Sequence, residues 1–281
     1  MTESALRPYR VEAFNTAKES DNKIHDDAVA RRFGFTGGLV PGVDVYAYMT
    51  HLPVRRWGRA WLERGTAECR LIKPVYDGDT AIVTATGSPA GLDIRIESHG
   101  ELCVTGCAAL PAEPLAPTDA FAKAPTPPIP PAERPPANET TLAVGTWFRI
   151  NPLRVTDEYA AQYLRDVRET EPLYTSEGLV HPGTILHIGN WALRHNVVLG
   201  PWMHVGSEVQ HFAAARIADE LSASAVVTDN YEHKGHRFVE LDVLVFAHDK
   251  TPIARIGHTA IYRPRQVAEL DPTRRREGDL R

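Results

Sequence analysis

Among the twelve histidines of this 281-residue chain, two stand where a proton could be exchanged with a bound molecule. His25 closes the run Ser20-Asp21-Asn22-Lys23-Ile24-His25, and imidazole is the side chain whose ordinary pKa suits proton transfer near neutral pH. His181 precedes Pro182-Gly183, shortly after Glu169, Glu171 and Tyr174, and Pro41-Gly42 forms a similar opening in the first half. Arg55, Arg56 and Arg59 make a short basic run that either meets phosphate groups or faces water. Cys103 and Cys107 are four apart on a predicted strand, hence on one face, and without a second ligand pair they read as small buried side chains. His233 and His236 flank a predicted hairpin turn at Gly235 with no further ligands at metal spacing. The chain has no Gly-rich phosphate loop and no nucleophile elbow.

The elements that must position these groups fall into two series. In the first, Asp26–Phe33 reads as a short helix, and Pro41 opens a more apolar one through Val43, Tyr46, Met49 and Leu52. Proline costs no hydrogen bond in the first turn of a helix. Strand-like segments follow at Ala67–Pro74, Thr80–Gly87 and Asp93–Ala109, the last broken by a turn at Ser98–Glu101. Asp77-Gly78 between the first two is hairpin chemistry and predicts that they pair. The second series repeats the order. Thr156–Val167 reads as a helix, Pro182 opens an apolar helix through Ile185, Ile188, Trp191 and Leu193, and strands follow at Val205–Ala213, Ala223–Tyr231, Arg237–Ala247 and Ile253–Arg263.

Between the series lies Pro111–Pro136, too rich in proline to pair into a sheet or continue a helix. The expected organisation is an N-terminal unit over 1–110, a Pro-rich connector over 111–139, a C-terminal unit over 140–265 and a charged tail over 266–281. A net charge of −5 argues against nucleic acid as the main partner. No apolar run approaches the ~20 residues a membrane helix needs. Three cysteines without a disulfide framework, and no signal-like N-terminus, make the cytoplasm the expected compartment.

Taken in order, these segments resemble the MaoC-like dehydratases and (R)-specific enoyl-CoA hydratases. The family carries an Asp-x-Asn-Pro-(Leu/Ile)-His motif, then a short helix, a Phe, and a His-Gly that opens a central helix. Here the motif reads Ser20 to His25, followed by Phe33 or Phe35 and by Pro41-Gly42. Lys73 to Thr80, KPVYDGDT, is similar to the family's strand–turn signature. Glu169 to Tyr174 holds the corresponding motif place in the second half.

The resemblance implies an α+β double hotdog, two antiparallel sheets each wrapped around a central helix. It implies reversible hydration or dehydration of an enoyl or 3-hydroxyacyl thioester, carried by coenzyme A or phosphopantetheine, with no metal or redox cofactor. A homodimer of such chains is a candidate assembly. His25 would be the surviving catalytic group, Asp21 a substitute carboxylate if the loop shifts by one residue, and Gly42 the backbone donor to the thioester oxygen. Asn22, Glu169, Tyr174, His181, Gly183, Arg55 and Arg56 would contact substrate.

Each role has a plainer alternative. His25 could simply begin a helix, Asp21 cap one, Glu169 and Glu171 belong to a solvated charge cluster, Tyr174 pack, and His181 cap the helix at Pro182. Ser20 stands where the family's Asp would be, and Tyr174 where its second His would be. Two other readings therefore stay open: a hotdog that binds a thioester or small molecule without hydratase chemistry, and one that runs a different lyase, isomerase or cyclisation step.

Overall fold

The computed structural model describes residues 6–266, apart from 118–120 and 122. The charged tail therefore lies, from residue 267 on, outside the described residues. The first half runs β1 (Tyr9–Glu12), a 3-10 turn (Lys23–His25), α1 (Asp27–Arg32), α2 (Gly42–Trp57), α3 (Arg59–Arg64), β2 (Thr66–Leu71), β3 (Thr80–Ser88), β4 (Gly91–Ser98) and β5 (Glu101–Ala109). The second half runs β6 (Trp147–Arg149), β7 (Leu153–Arg154), α4 (Asp157–Asp166), α5 (Leu173–Glu177), α6 (Pro182–Arg194), β8 (Met203–His211), β9 (Glu220–His233), β10 (His236–Ala247) and β11 (Thr251–Arg263).

All these strands belong to one sheet, ordered β1-β3-β4-β5-β2-β8-β11-β10-β9-β6, with β7 on β9. The halves join edge to edge at the antiparallel pair β2–β8, where Thr66 faces Gln210 and Arg70 faces Gly206. That pairing satisfies the backbone groups each half-sheet would otherwise leave open at its edge. The central helices α2 and α6 pack against each other and against the sheet. Met49 and Ile188, at 0% exposure, mark their buried faces. This is the double hotdog arrangement.

Two strand-level expectations are corrected. Asp77-Gly78 does not close a hairpin, because β2 pairs with β5 and β8 while β3 pairs with β1 and β4. The turn instead returns the chain from the sheet toward the N-terminal segment: Gly78 N–H donates to the Ala13 carbonyl, and Ala13 N–H donates to that of Asp79. Cys103 and Cys107 do not share a face. The pairing register of β4 and β5 slips between Ile96 and Glu97, so one strand carries an extra residue at Cys103 and the alternation inverts. Cys103 is buried and Cys107 exposed.

Real hairpins occur at His99-Gly100 and Lys234-Gly235, where both central residues have positive φ: 51° and 76°, 50° and 78°. The described residues of the Pro-rich segment form no strand, yet they do not hang free. Phe121 packs edge-on between Phe212 and Phe246, and Ser224 Oγ donates to the Pro125 carbonyl at 3.1 Å.

Candidate functional site

His25 is held by the loop it ends. Asn22 caps the 3-10 turn through Ile24 N–H, and Asp26 caps α1 through Val29 N–H at 2.9 Å. Asn15 Nδ2 donates to the His25 carbonyl at 2.9 Å. His25 Nδ1 lies 2.7 Å from the Leu39 carbonyl, which can only accept, so Nδ1 carries the proton. Nε2 then presents its lone pair, 3.2 Å from Asn22 Nδ2. Burial holds the imidazole below its usual pKa, opposed by the Leu39 carbonyl and by the charge of Asp44. His25 is thus a neutral acceptor with a defined tautomer. Asp21 is exposed and makes no hydrogen bond to His25, and the Ser20 hydroxyl donates to the Asn22 carbonyl at 3.3 Å. Neither supplies a carboxylate to the imidazole.

A cavity of about 380 Å³ is lined by His25, Asn22, Gly42, Asn190 and His204 among apolar neighbours that include Phe35, Val45, Leu71 and Trp202. Gly42 is the first residue of α2. Its N-cap, Pro41, has no side-chain capping bond, and neither Gly42 nor Val43 N–H has a hydrogen-bond partner among the described residues. The start of a helix with open N–H groups carries a partial positive charge and suits an oxygen that becomes anionic. Glycine is required here by space as well: a Cβ on Gly42 would lie 2.8 Å from His204 Nδ1 and 3.0 Å from Leu71 Cδ1.

The second helix start is arranged differently. Val40 N–H bonds the Val75 carbonyl and Val180 N–H that of Ala215, which aligns Pro41 with His181 and Gly42 with Pro182. The first residue of α6 is thus a proline, without an N–H to offer. The next N–H, of Gly183, donates to His181 Nδ1 at 3.0 Å. A Cβ on Gly183 would meet Tyr163 Oη at 2.2 Å and Ala47 at 2.8 Å, so protein fills the space a substrate would take.

The acidic motif of the second half is likewise occupied. The Glu169 side chain, 2% exposed, accepts from His51 Nδ1 at 2.8 Å and lies 3.4 Å from His181 Nε2. It also accepts backbone N–H from Thr170 at 2.6 Å and Glu171 at 2.7 Å. Burial would raise its pKa, but the two histidines outweigh that and hold the carboxyl well below the usual range. Tyr174 is fully buried with its hydroxyl unpartnered, and Tyr9 stacks on His51 with ring centroids 3.7 Å apart. Arg55 reaches Glu171 at 4.0 Å, and Arg56 lies beside it on the exposed side of α2. The structure thus gathers His25, Asn22 and Gly42 at one cavity. It places Glu169, Tyr174, His181 and Gly183 together at another position, closed by their mutual contacts, with Arg55 alongside on Glu171.

Two residues absent from the sequence reading stand out, Asp44 and His187. Asp44, in the first turn of α2 and 0% exposed, accepts from Thr16 Oγ1 at 2.6 Å, Tyr163 Oη at 3.0 Å and His187 Nε2 at 2.8 Å. Although desolvation opposes it, these donors keep its carboxyl below the ordinary pKa, hence ionised. An Asp inside the apolar stretch Val43–Leu52 was the available signal. A larger trough of about 1170 Å³ lies over the β2–β8 seam, lined by Glu68, Arg70, Glu208, Glu240 and Asp242. It touches neither helix start.

No family model matches this chain, and no curated protein matches it in sequence. Solved structures do match in fold. A MaoC domain protein from Chloroflexus aurantiacus aligns over 92% of this chain and 94% of its own, with TM-score 0.60 and 11% identity. A protein from Mycobacterium tuberculosis with a double hotdog fold aligns over 91% and 96%, with TM-score 0.59 and 16% identity. A MaoC-like dehydratase aligns over 92% and 98%, with TM-score 0.56 and 13% identity. At such identities the likeness establishes the double hotdog fold. No helix among the described residues is long and apolar enough to cross a membrane.

Proposed function

We propose that this protein is a hydro-lyase that adds water to, or removes it from, an enoyl or 3-hydroxyacyl thioester, with a single active site in its first half. One observation carries the reading: an uncapped helix start at Gly42 and a neutral, tautomer-fixed His25 line the same largely apolar cavity. The chemistry needs both. When a base removes the proton next to the thioester carbonyl, the carbonyl oxygen gains negative charge, and preorganised N–H donors stabilise it. Gly42 N–H is the donor, His25 Nε2 is the acceptor, and Phe35, Val45, Leu71 and Trp202 accommodate the acyl chain. The thioester, on coenzyme A or a phosphopantetheine arm, is the partner this reading calls for.

The motif of the second half serves as scaffold. Its helix start offers no free N–H, and Glu169, His51 and His181 satisfy one another. Turnover of a panel of trans-2-enoyl-CoA and 3-hydroxyacyl-CoA esters of increasing length tests the proposal. Turnover of at least one ester, lost in His25→Ala, is expected. Binding of the esters without turnover would favour the reading as a thioester-binding hotdog, for which the missing motif carboxylate at Ser20 speaks.

A further inference from the structure

A base alone does not complete a dehydration. The leaving hydroxyl must be protonated, and the motif position that would supply a carboxylate holds Ser20. The Asp44–His187 pair stands nearby. His187 is on α6, in the second half, with its side chain 18% exposed; Asp44 is on α2, in the first half, with its side chain 0% exposed. His187 Nε2 donates to Asp44 Oδ1 at 2.8 Å, so any proton that His187 exchanges passes through Nδ1. Nδ1 has no hydrogen-bond partner among the described residues and is not sealed from solvent. The ring is held edge-on to Tyr163 and tilted against Trp191, with centroids 5.6 and 5.8 Å away.

Three features connect this pair to the proposed site. Asp44 lies two residues after Gly42 on the same helix turn. Asn190, one turn beyond His187 on α6, lines the cavity with His25, and its Oδ1 is buried without a partner. The charges of Asp44, His187 and Arg194 all reach His25. Of the half-buried face of α6 that runs through His187, Asn190, Trp191 and Arg194, Asn190 lines the cavity.

We infer that His187, oriented by buried Asp44, is a second acid–base group of the site, contributed across the two halves in place of the motif carboxylate. The inference rests on the thioester reading above. In the dehydration direction, His25 Nε2 takes the proton from the carbon next to the carbonyl. The C–H electron pair becomes the new C=C bond as the C–O bond breaks, and the oxygen leaves as water with the proton from His187 Nδ1. His25 ends with one proton more and His187 with one fewer; return of a proton through solvent restores both. Asp44 holds the ring orientation and fixes the tautomer, the part a buried carboxylate plays beside a catalytic histidine. The titratable groups in contact with the ring are Asp44 from α2 and Tyr163 from α4, and His25 and His204 lie within reach of its charge.

The test compares wild type, His25→Ala, His187→Ala and His187→Gln on an ester the wild type turns over, with thermal melts to confirm folding. His187→Ala should lower kcat by about 100-fold with KM within about threefold, should lose the alkaline limb of the kcat pH profile, and should recover in part when imidazole is added. His187→Gln should remain folded and equally slow. A His187→Ala enzyme within threefold of wild type, beside an inactive His25→Ala, would overturn the role of His187 and leave the hydro-lyase reading intact. If the wild type turns over no ester, that reading fails. His187 is then judged by whether crotonyl-CoA shifts its imidazole NMR resonances: a shift keeps it as a ligand-contacting group, and none removes it.

Discussion

Asn22 and Trp202, one from each half of the chain, hold each other by a reciprocal pair of hydrogen bonds. Asn22 Nδ2 donates to the Trp202 carbonyl at 3.0 Å, and Trp202 N–H donates back to Asn22 Oδ1 at 3.3 Å. The same amide reaches His25 Nε2. The loop that carries the proposed base is therefore fixed to the second half, and the site depends on the two halves being joined.

Asn22→Ala should consequently weaken both the fold and the chemistry. It leaves the buried Trp202 N–H and carbonyl without partners, at about 1–3 kcal/mol for each group left unsatisfied. Urea denaturation should show a lower midpoint with an unchanged slope. An unchanged midpoint would mean that the clamp contributes nothing.

Gly42→Ala should fail for reasons of space. Its Cβ would sit 2.8 Å from His204 Nδ1, an atom of a buried ring that cannot swing away cheaply. Overpacking of this kind costs about 1–3 kcal/mol. Calorimetry should show the loss, and thioester binding should fall with it. A variant as stable as wild type, with unchanged binding, would remove Gly42 from the cavity wall.

Acid should destabilise the protein before its carboxylates titrate. Burial pushes His204 down to about 3 and His211 down to about 4, whereas an unfolded histidine titrates near ~6.5. Below ~6.5 the unfolded chain therefore binds protons that the folded chain refuses, and stability falls as pH drops toward the folded values. The expected slope is about 1.4 kcal/mol per pH unit for each such histidine. His211→Phe keeps the packing on Trp61 and removes one contribution. Between about pH 6 and pH 5 it should lose roughly 1 kcal/mol less than wild type. Equal losses would show that His211 is not buried neutral. Glu169, with its pKa held down, adds the same sign lower on the scale: its contribution is complete above the usual ~4.3 and disappears as pH falls below it.

Much of this architecture was legible in the residues. Pro41 and Pro182 marked the two buried helices, and the strand read at Arg237–Ala247 buries Val239, Leu241, Val243 and Val245 in the core. What stayed hidden was long-range. The Asp77-Gly78 pair looks like a hairpin, and only the placement of β5 and β8 on either side of β2 shows why it is not one. The inverted face of Cys107 follows from a bulge that no local signal announces. At the site, the resemblance led to His25, Asn22 and Gly42, but a linear motif could not show that Glu169 would be consumed by His51, 118 residues earlier. Nor could it show that Asp44 would meet His187, 143 residues away. Such pairs exist only once the halves are docked.

Tyr174→Phe separates scaffold from site in the second half. Tyr174 is 0% exposed and its hydroxyl has no partner, so removing that hydroxyl relieves an unsatisfied polar atom. The variant should be as stable as wild type or slightly more so. A clear loss in melting temperature would reveal a bonded hydroxyl and reopen that motif as a functional group.

The central claim, one active site and that one in the first half, is tested most directly by the turnover of a single enoyl-CoA ester in His25→Ala and Tyr174→Phe side by side. These are the corresponding motif positions of the two halves. The account predicts that His25→Ala lowers kcat by about 100-fold or more, while Tyr174→Phe turns over at the wild-type rate. Retained turnover in His25→Ala together with its loss in Tyr174→Phe would place the chemistry in the other half and contradict the account.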